Sequence, residues 1–215
     1  MYKIFWGKAN TLNQAILASL FSFRYQVFRQ RLGWDVVCNE GQETDRFDTI
    51  NPAYIVALNK KGVAEGCFRL LPTTGDYMLK HVFPEMIDGD DAPCDETIWE
   101  LSRFAVMPRK KSAAVKGGCC AVTFQIIRSV YDFAVAHGIN RYVFVTSVAV
   151  ERLLRRLKLP VSRFGSGHTY RLGKVRSVVL WVDINDQFRQ AMYGDAVPVT
   201  PDINLLSGSG YEQAA

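Results

Sequence analysis

The chain has 215 residues, 48% of them apolar and 22% charged, the balance of an ordinary globular protein, and its length suits one domain. No apolar run approaches the roughly 20 residues of a bilayer span, the opening MYKIFWGKAN lacks the parts of a secretion signal, and five cysteines without a C-x-x-C pair argue against a zinc site or a disulfide framework and for a reducing cytoplasm. The net charge of +5 permits an acidic partner, but no zinc-finger spacing, RNP-like aromatic motif or long basic tail points to nucleic acid.

Apolar residues at Leu12, Ile16, Leu20, Phe23 and Val27 predict helix from Leu12 to about Leu32, stopped by Gly33. The polar stretch CNEGQETDRFDTINP (38–52) reads as a loop of about fifteen residues, a length often tied to function. YIVAL (54–58) and VAEGCFRLL (63–71) read as strands around the turn NKKG. A further loop leads to the strand IWELSRFAV (98–106). Val122, Ile126, Val130 and Phe133 mark a helix from about Lys116 to His137, with Gly138 as its stop. RYVFVTS (141–147) is an apolar strand of the doubly buried kind. VAVERLLRRLKL follows as an amphipathic helix ended by Pro160, then the strand VRSVVLWVDI and the helix DQFRQAMYG. The order predicts one α/β domain over 1–194, a mixed central sheet flanked by helices, with a flexible tail at 195–215.

Several charges sit in apolar company. Arg24 and Phe28, four apart, share a helix face, with Trp34 just beyond; alone, Arg24 reads as a solvated helix residue. Asp45 and Asp48 in the long loop read as turn formers. In 63–71, alternation places Val63, Glu65, Cys67, Arg69 and Leu71 on one face, where an arginine needs an edge or a carboxylate partner. Glu100 and Arg103 are three apart, hence on opposite faces of a regular strand, with Ser102 beside Glu100. Either they serve different layers or a bulge re-aims one of them. Arginines for a carboxylate and acids for an ammonium or sulfonium suit a zwitterionic ligand.

Arg24, Phe28, Trp34, Asp45, Asp48, Arg69, Glu100 and Arg103 match in type and order the signature of the acyl-homoserine-lactone synthases (LuxI-type autoinducer synthases). The contexts FRYQVF, LGW, ETDRFD, CFRLLPTT, WELSRFAV and SRFG agree, and the resemblance spans roughly 1–186. It implies a three-layer α-β-α fold like that of the GCN5-related N-acetyltransferases. It also implies transfer of an acyl chain from acyl-carrier protein, or acyl-CoA, to the amine of S-adenosylmethionine. Lactone closure would release methylthioadenosine, with S-adenosylmethionine as a substrate and no cofactor or metal.

On that resemblance, Glu100 accepts the proton of the amine, directly or through a water. Arg24, Arg69 and Arg103 clamp the substrate carboxylate or organise the acids. Asp45 and Asp48 order the loop, and Phe28, Trp34 and Phe104, with Asp45 and Arg103, hold S-adenosylmethionine. Thr146 and Ser102 border the acyl chain. Arg152, Arg155, Arg156 and Lys158, extended by Lys110, Lys111 and Lys116, form a basic surface for the acidic carrier protein or simply a solvated helix face. Two other readings compete. A GCN5-related acyltransferase using acyl-CoA on another amine should present an Arg/Gln-x-x-Gly-x-Gly/Ala loop after FAVMP, whereas the chain has RKKSAAVKGGCCA. A non-catalytic binding module would bind the zwitterion without turnover. A monomer without membrane contact is expected.

Overall fold

The computed structural model describes residues 2–107 and 118–195. In chain order the elements are β1 (Lys3–Lys8), α1 (Gln14–Arg24) running into a π-helical segment (Tyr25–Arg31), β2 (Cys38–Asn39), β3 (Gln42–Glu43) and a 3₁₀ turn (Arg46–Asp48). Next come β4 (Ala53–Leu58), β5 (Ala64–Pro72), α2 (Met78–Val82), β6 (Ile98–Val106) and α3 (Ala121–His137). β7 (Arg141–Ser147), α4 (Val148–Arg156), β8 (Val161–Arg163), β9 (Tyr170–Leu172), β10 (Val175–Asp183) and α5 (Asp186–Tyr193) complete the described chain.

The central sheet runs β1-β4-β5-β6-β7-β10-β8, with β9 added along β10. Every pairing in it is antiparallel except β6 with β7, which is parallel. That parallel pair spans only Ile98 to Glu100 against Arg141 to Val143. Beyond it the two strands separate, so a cleft opens between residues 101–106 of β6 and 144–147 of β7. α3 covers one face through Val122, Ile126, Val130 and Phe133, packed on Ile55, Phe68, Leu70 and Leu101. α1 covers the other through Leu20 and Phe23, packed on Tyr54, Val56 and Cys67. Leu79 of α2 and Phe47 join Leu71, Val143 and Val179 further along that second face. The arrangement is the expected three-layer α/β sandwich, because even and odd strand residues feed cores on opposite sides.

Local signals explain the element ends. Asn13, Ser147 and Asn185 accept backbone N–H bonds as side-chain caps of α1, α4 and α5. Gly33 and Gly138 adopt left-handed backbone (φ +64° and +66°) just past the first helical region and α3. Four expectations need correction. The stretch 38–52 is not plain loop; it holds the β2–β3 hairpin and the 3₁₀ turn. α4 stops at Arg156 rather than at Pro160, since Lys158 takes the left-handed conformation (φ +63°) first. The long helix begins at Ala121 with Cys120 as its N-cap residue, not near Lys116. Glu65 leaves the row of β5 residues because the register with β4 shifts between Ala57 and Leu58. Its carboxylate instead accepts bonds from the Tyr2 hydroxyl and the Asn59 amide. β1, α2 and the short strands β8 and β9 add elements not read from the sequence. The segment expected as a flexible tail, apart from Asp195, and Lys110, Lys111 and Lys116 lie outside the described residues.

Candidate active site

α1 delivers Arg24 to a fully buried position, contrary to the solvated helix residue expected from its spacing alone. Burial demands carboxylate partners, and the β2–β3 hairpin with the 3₁₀ turn supplies them. Arg24 Nε donates to Glu43 at 2.5 Å, and its two Nη groups donate to the two oxygens of Asp48 at 2.8 and 2.9 Å. Asp48 also accepts the Tyr54 hydroxyl at 2.7 Å and the Asp45 backbone N–H at 2.7 Å. Burial would raise its carboxyl, but Arg24 and Arg69 hold it well below the usual range. Asp45 and Asp48 are thus turn formers, joined in a capping box, and ion-pair partners at once.

Arg69, equally buried, grips Asp45 with both Nη groups at 2.5 and 3.0 Å, reaches Asp48 at 2.9 Å, and donates from Nε to the Ser102 hydroxyl at 3.2 Å. Arg103 reaches the same cluster because β6 bulges. Arg69 faces Ser102 while Cys67 faces Ala105, so Arg103 and Phe104 together oppose Phe68. Arg103 takes a left-handed backbone (φ +52°), a strain of roughly 1–3 kcal/mol for a side-chain-bearing residue. The return is that its side chain joins the α1 face: Nη2 donates to Asp45 at 2.5 Å and Nε to Glu43 at 3.2 Å. Of the two alternatives for the three-residue offset, the bulge is the one built. Phe104 resumes the opposite face, stacked on Phe68 with centroids 4.5 Å apart, and so stands away from Phe28 and Trp34.

Three guanidiniums therefore face three carboxylates, and Glu100 remains outside these pairs. It is buried, and its carboxylate accepts the Met78 and Leu79 backbone N–H groups at 2.9 and 2.6 Å. It thereby caps α2, whose own N-cap residue, Tyr77, offers no side-chain bond. Burial outweighs those bonds and pushes its carboxyl up to about 7. The Met78 sulfur lies 3.1 Å from Arg69 Nη2 and 3.5 Å from Arg103 Nη1. Among the described residues, Arg103 Nη1 has that sulfur as its partner and is the one guanidinium nitrogen of the trio without an oxygen acceptor.

A cavity of about 810 Å³ runs from this region through the cleft between β6 and β7. Glu100 and Arg103 line it; Arg24, Arg69, Glu43, Asp45 and Asp48 stand behind. At one end Phe28 and Trp34 stack with centroids 5.1 Å apart, and the Arg103 guanidinium sits 5.6 Å over the Phe28 ring. At the other end the lining is apolar: Leu101, Phe104, Ile127, Phe144, Leu154 and Phe188. Thr146 and Ser102 both line the passage, with the Ser102 hydroxyl already accepting from Arg69. Arg152, Arg155 and Arg156 on α4 and Lys158 just past its end are exposed as expected, but Arg155 is tied to Glu151 at 3.1 Å. Sequence reasoning missed Glu43, although ETDRFD contains it, and missed Met78. A glutamate two residues before Asp45 on the same loop was the available signal.

Residues 8–192 match the autoinducer synthase family profile. The chain belongs to that family. This synthase is 48% identical over 173 residues to the acyl-homoserine-lactone synthase of Aliivibrio fischeri, a match covering 80% of this chain and 89% of the relative. It is similar to the crystal structure of the AHL synthase LasI, with a TM-score of 0.82 and 34% identity over 93% of this chain and 98% of that one. TofI, solved in a ternary complex with an inhibitor and MTA, gives a TM-score of 0.75 at 31% identity over 88% and 96% of the two chains. Two more distant structures establish the fold alone. One is the CoA-dependent acyl-homoserine lactone synthase BjaI with SAM and isopentyl-CoA, at a TM-score of 0.78 and 22% identity over 90% of this chain and 88% of that one. The other is the putative N-acetyltransferase from Lactobacillus plantarum, at a TM-score of 0.57 and 12% identity over 86% and 99%. The synthase thus has a fold like that of the GCN5-related N-acetyltransferases and belongs to the autoinducer synthase family.

Proposed function

We propose that the enzyme transfers an acyl group from a phosphopantetheine thioester to the amine of S-adenosylmethionine and then closes the product to an N-acyl-homoserine lactone. The observation that carries this reading is the cavity itself. Glu100 and Arg103 alone of the charged cluster face it, between an aromatic chamber and an apolar lobe. Arg103 Nη1, held among the described residues by nothing stronger than a thioether, is the guanidinium group best placed to take the substrate carboxylate. Arg24 and Arg69 then act as braces that fix Glu43, Asp45 and Asp48, and through them Arg103. The exposed face of Trp34 suits the adenosine and sulfonium, since Arg103 already occupies the Phe28 ring.

Glu100, poised near neutrality, accepts a proton from the substrate ammonium, directly or through one water. The neutral amine attacks the thioester carbon; the C–N bond forms and the C–S bond breaks. The second amine proton goes to the departing thiolate. In lactone closure a carboxylate oxygen displaces the neutral thioether from the carbon next to the sulfonium, and methylthioadenosine leaves. The reaction balances without a cofactor, with one proton released. Its main requirement is a folded-back substrate conformer, which Arg103 and the aromatic wall supply.

The favoured donor is acyl-carrier protein, engaged by Arg152 and Arg156 on α4 and by Lys158 just past its end, and the enzyme acts as a monomer in the cytoplasm. The absence of a disulfide among the five cysteines suits a reducing compartment, and no described helix is long and apolar enough to cross a membrane. The test incubates the protein with S-adenosylmethionine and acyl-carrier-protein or acyl-CoA donors, following methylthioadenosine and acyl-homoserine lactone together by mass spectrometry. Both products should appear and both should fall in Glu100→Gln. Acylation of another amine without methylthioadenosine would refute the reading.

A further inference from the structure

The apolar end of the cavity lies on the α3 face, so an acyl chain whose carbonyl sits by Glu100 and Arg103 must first cross the sheet through the cleft. It then has room to continue. The lining includes Thr146 at the open end of β7 and Val182 near the far end of β10. Thr146 pairs with Val178, and Val182 pairs with Tyr142, four positions further along β7. At about 3.3 Å per strand residue, these two lining residues stand about 13 Å apart along the sheet. The far wall is closed by the buried side chains of Leu154, Leu159, Val182 and Phe188. An extended alkyl chain advances about 1.3 Å per carbon, given C–C bonds of about 1.5 Å in a zigzag.

We propose, building on the synthase reading above, that this cavity selects long acyl donors, with an optimum at ten to twelve carbons set by Leu154 and Phe188. A chain of four to six carbons reaches little beyond the cleft and leaves the lower lobe without apolar contacts. Each methylene added from six to ten carbons then raises kcat/KM by roughly fourfold, the equivalent of one buried CH₂. Beyond the floor the gain ends, because Phe188 and Leu159 belong to the packed core and yield little. Leu154, one turn along α4 from Val150, is the side chain of that far wall that a larger residue would turn into a raised floor.

The experiment measures kcat/KM for saturated acyl-carrier-protein donors of four to fourteen carbons, with methylthioadenosine release as the readout. Wild type should peak at ten or twelve carbons. Leu154→Trp should move the peak to six or fewer, and Phe188→Ala should move it to fourteen, each checked for folding by thermal denaturation. The wild-type profile decides the matter even if a variant fails to fold. A wild-type peak at four to six carbons overturns the length assignment while leaving the synthase reading intact. Methylthioadenosine from none of the donors overturns the synthase reading, and the length assignment with it.

Discussion

Replacing Glu100 by Gln should make folding stability less sensitive to pH. The wild-type carboxyl titrates at about 7 in the folded protein because burial disfavours its charge, against an ordinary value of 4.5. Its folded pKa is raised, so the folded state holds a proton that the unfolded chain has lost. The resulting contribution is complete below about pH 4.5 and is lost as pH rises through about 7. A difference of that size is worth about 3 kcal/mol on full ionisation, and about 2.5 kcal/mol of it falls between pH 5 and pH 8. Every other titrating group is common to both proteins, so the difference between their pH profiles isolates Glu100. Urea denaturation of both proteins at intervals across this range, with m-values confirmed equal, gives the comparison. Wild type should lose about 2–3 kcal/mol relative to Glu100→Gln on going from pH 5 to pH 8. Parallel profiles would refute the reasoning, since they would mean that Glu100 ionises as easily folded as unfolded. The two bonds to the Met78 and Leu79 N–H groups would then dominate over burial.

The braces and the clamp should separate in the same measurements. Arg24→Ala leaves Glu43 and Asp48 buried beside a lost partner, and urea denaturation should show a loss of about 3–5 kcal/mol. Arg103→Lys keeps a charge at a site that lines the cavity but cannot serve Asp45, Glu43 and a substrate carboxylate together. It should retain most of the stability and raise KM for S-adenosylmethionine at least tenfold in steady-state assays; an unchanged KM would assign the carboxylate elsewhere. Arg152→Glu combined with Arg156→Glu should lower kcat/KM for an acyl-carrier-protein donor about tenfold at low salt, converging with wild type at high salt. Turnover of acyl-CoA should not change, and an equal fall with both donors would remove α4 from carrier docking.

The sequence was most legible where one periodicity governed many residues. α3 and β10 each bury a regular stripe or row, so spacing alone placed Val122, Ile126, Val130 and Phe133 correctly. It was least legible where a tertiary partner replaced a local signal. α2 lacks a capping side chain at Tyr77, and Glu100, on a strand more than twenty positions away, provides the cap. β2 and β3 are two residues each, too short to show alternation, and exist because Glu43 and Asp45 are drawn toward Arg24, Arg69 and Arg103. Arg24 illustrates the same limit from the other side. Helical spacing could name its face but not the buried acids that the following loop would bring to it.

The left-handed residue in β6 shows why these features belong together. Without the bulge, Arg103 would point toward α3 and into the apolar lobe, where it would lack a carboxylate partner and block the chain's path. With it, one short strand segment performs three tasks: Glu100 caps α2, Arg103 joins the acids, and Phe104 returns to line the lobe beside Phe68. The strain at Arg103 is tolerable because Asp45 and Glu43 hold the guanidinium in a buried setting. The same segment runs along the gap left by the short β6–β7 pairing, so the charged chamber and the apolar lobe open to each other beside Glu100 and Arg103. A polar nucleophile and an acyl chain can therefore approach from opposite faces of one sheet, which is the geometric requirement that an amine acyltransfer places on this fold.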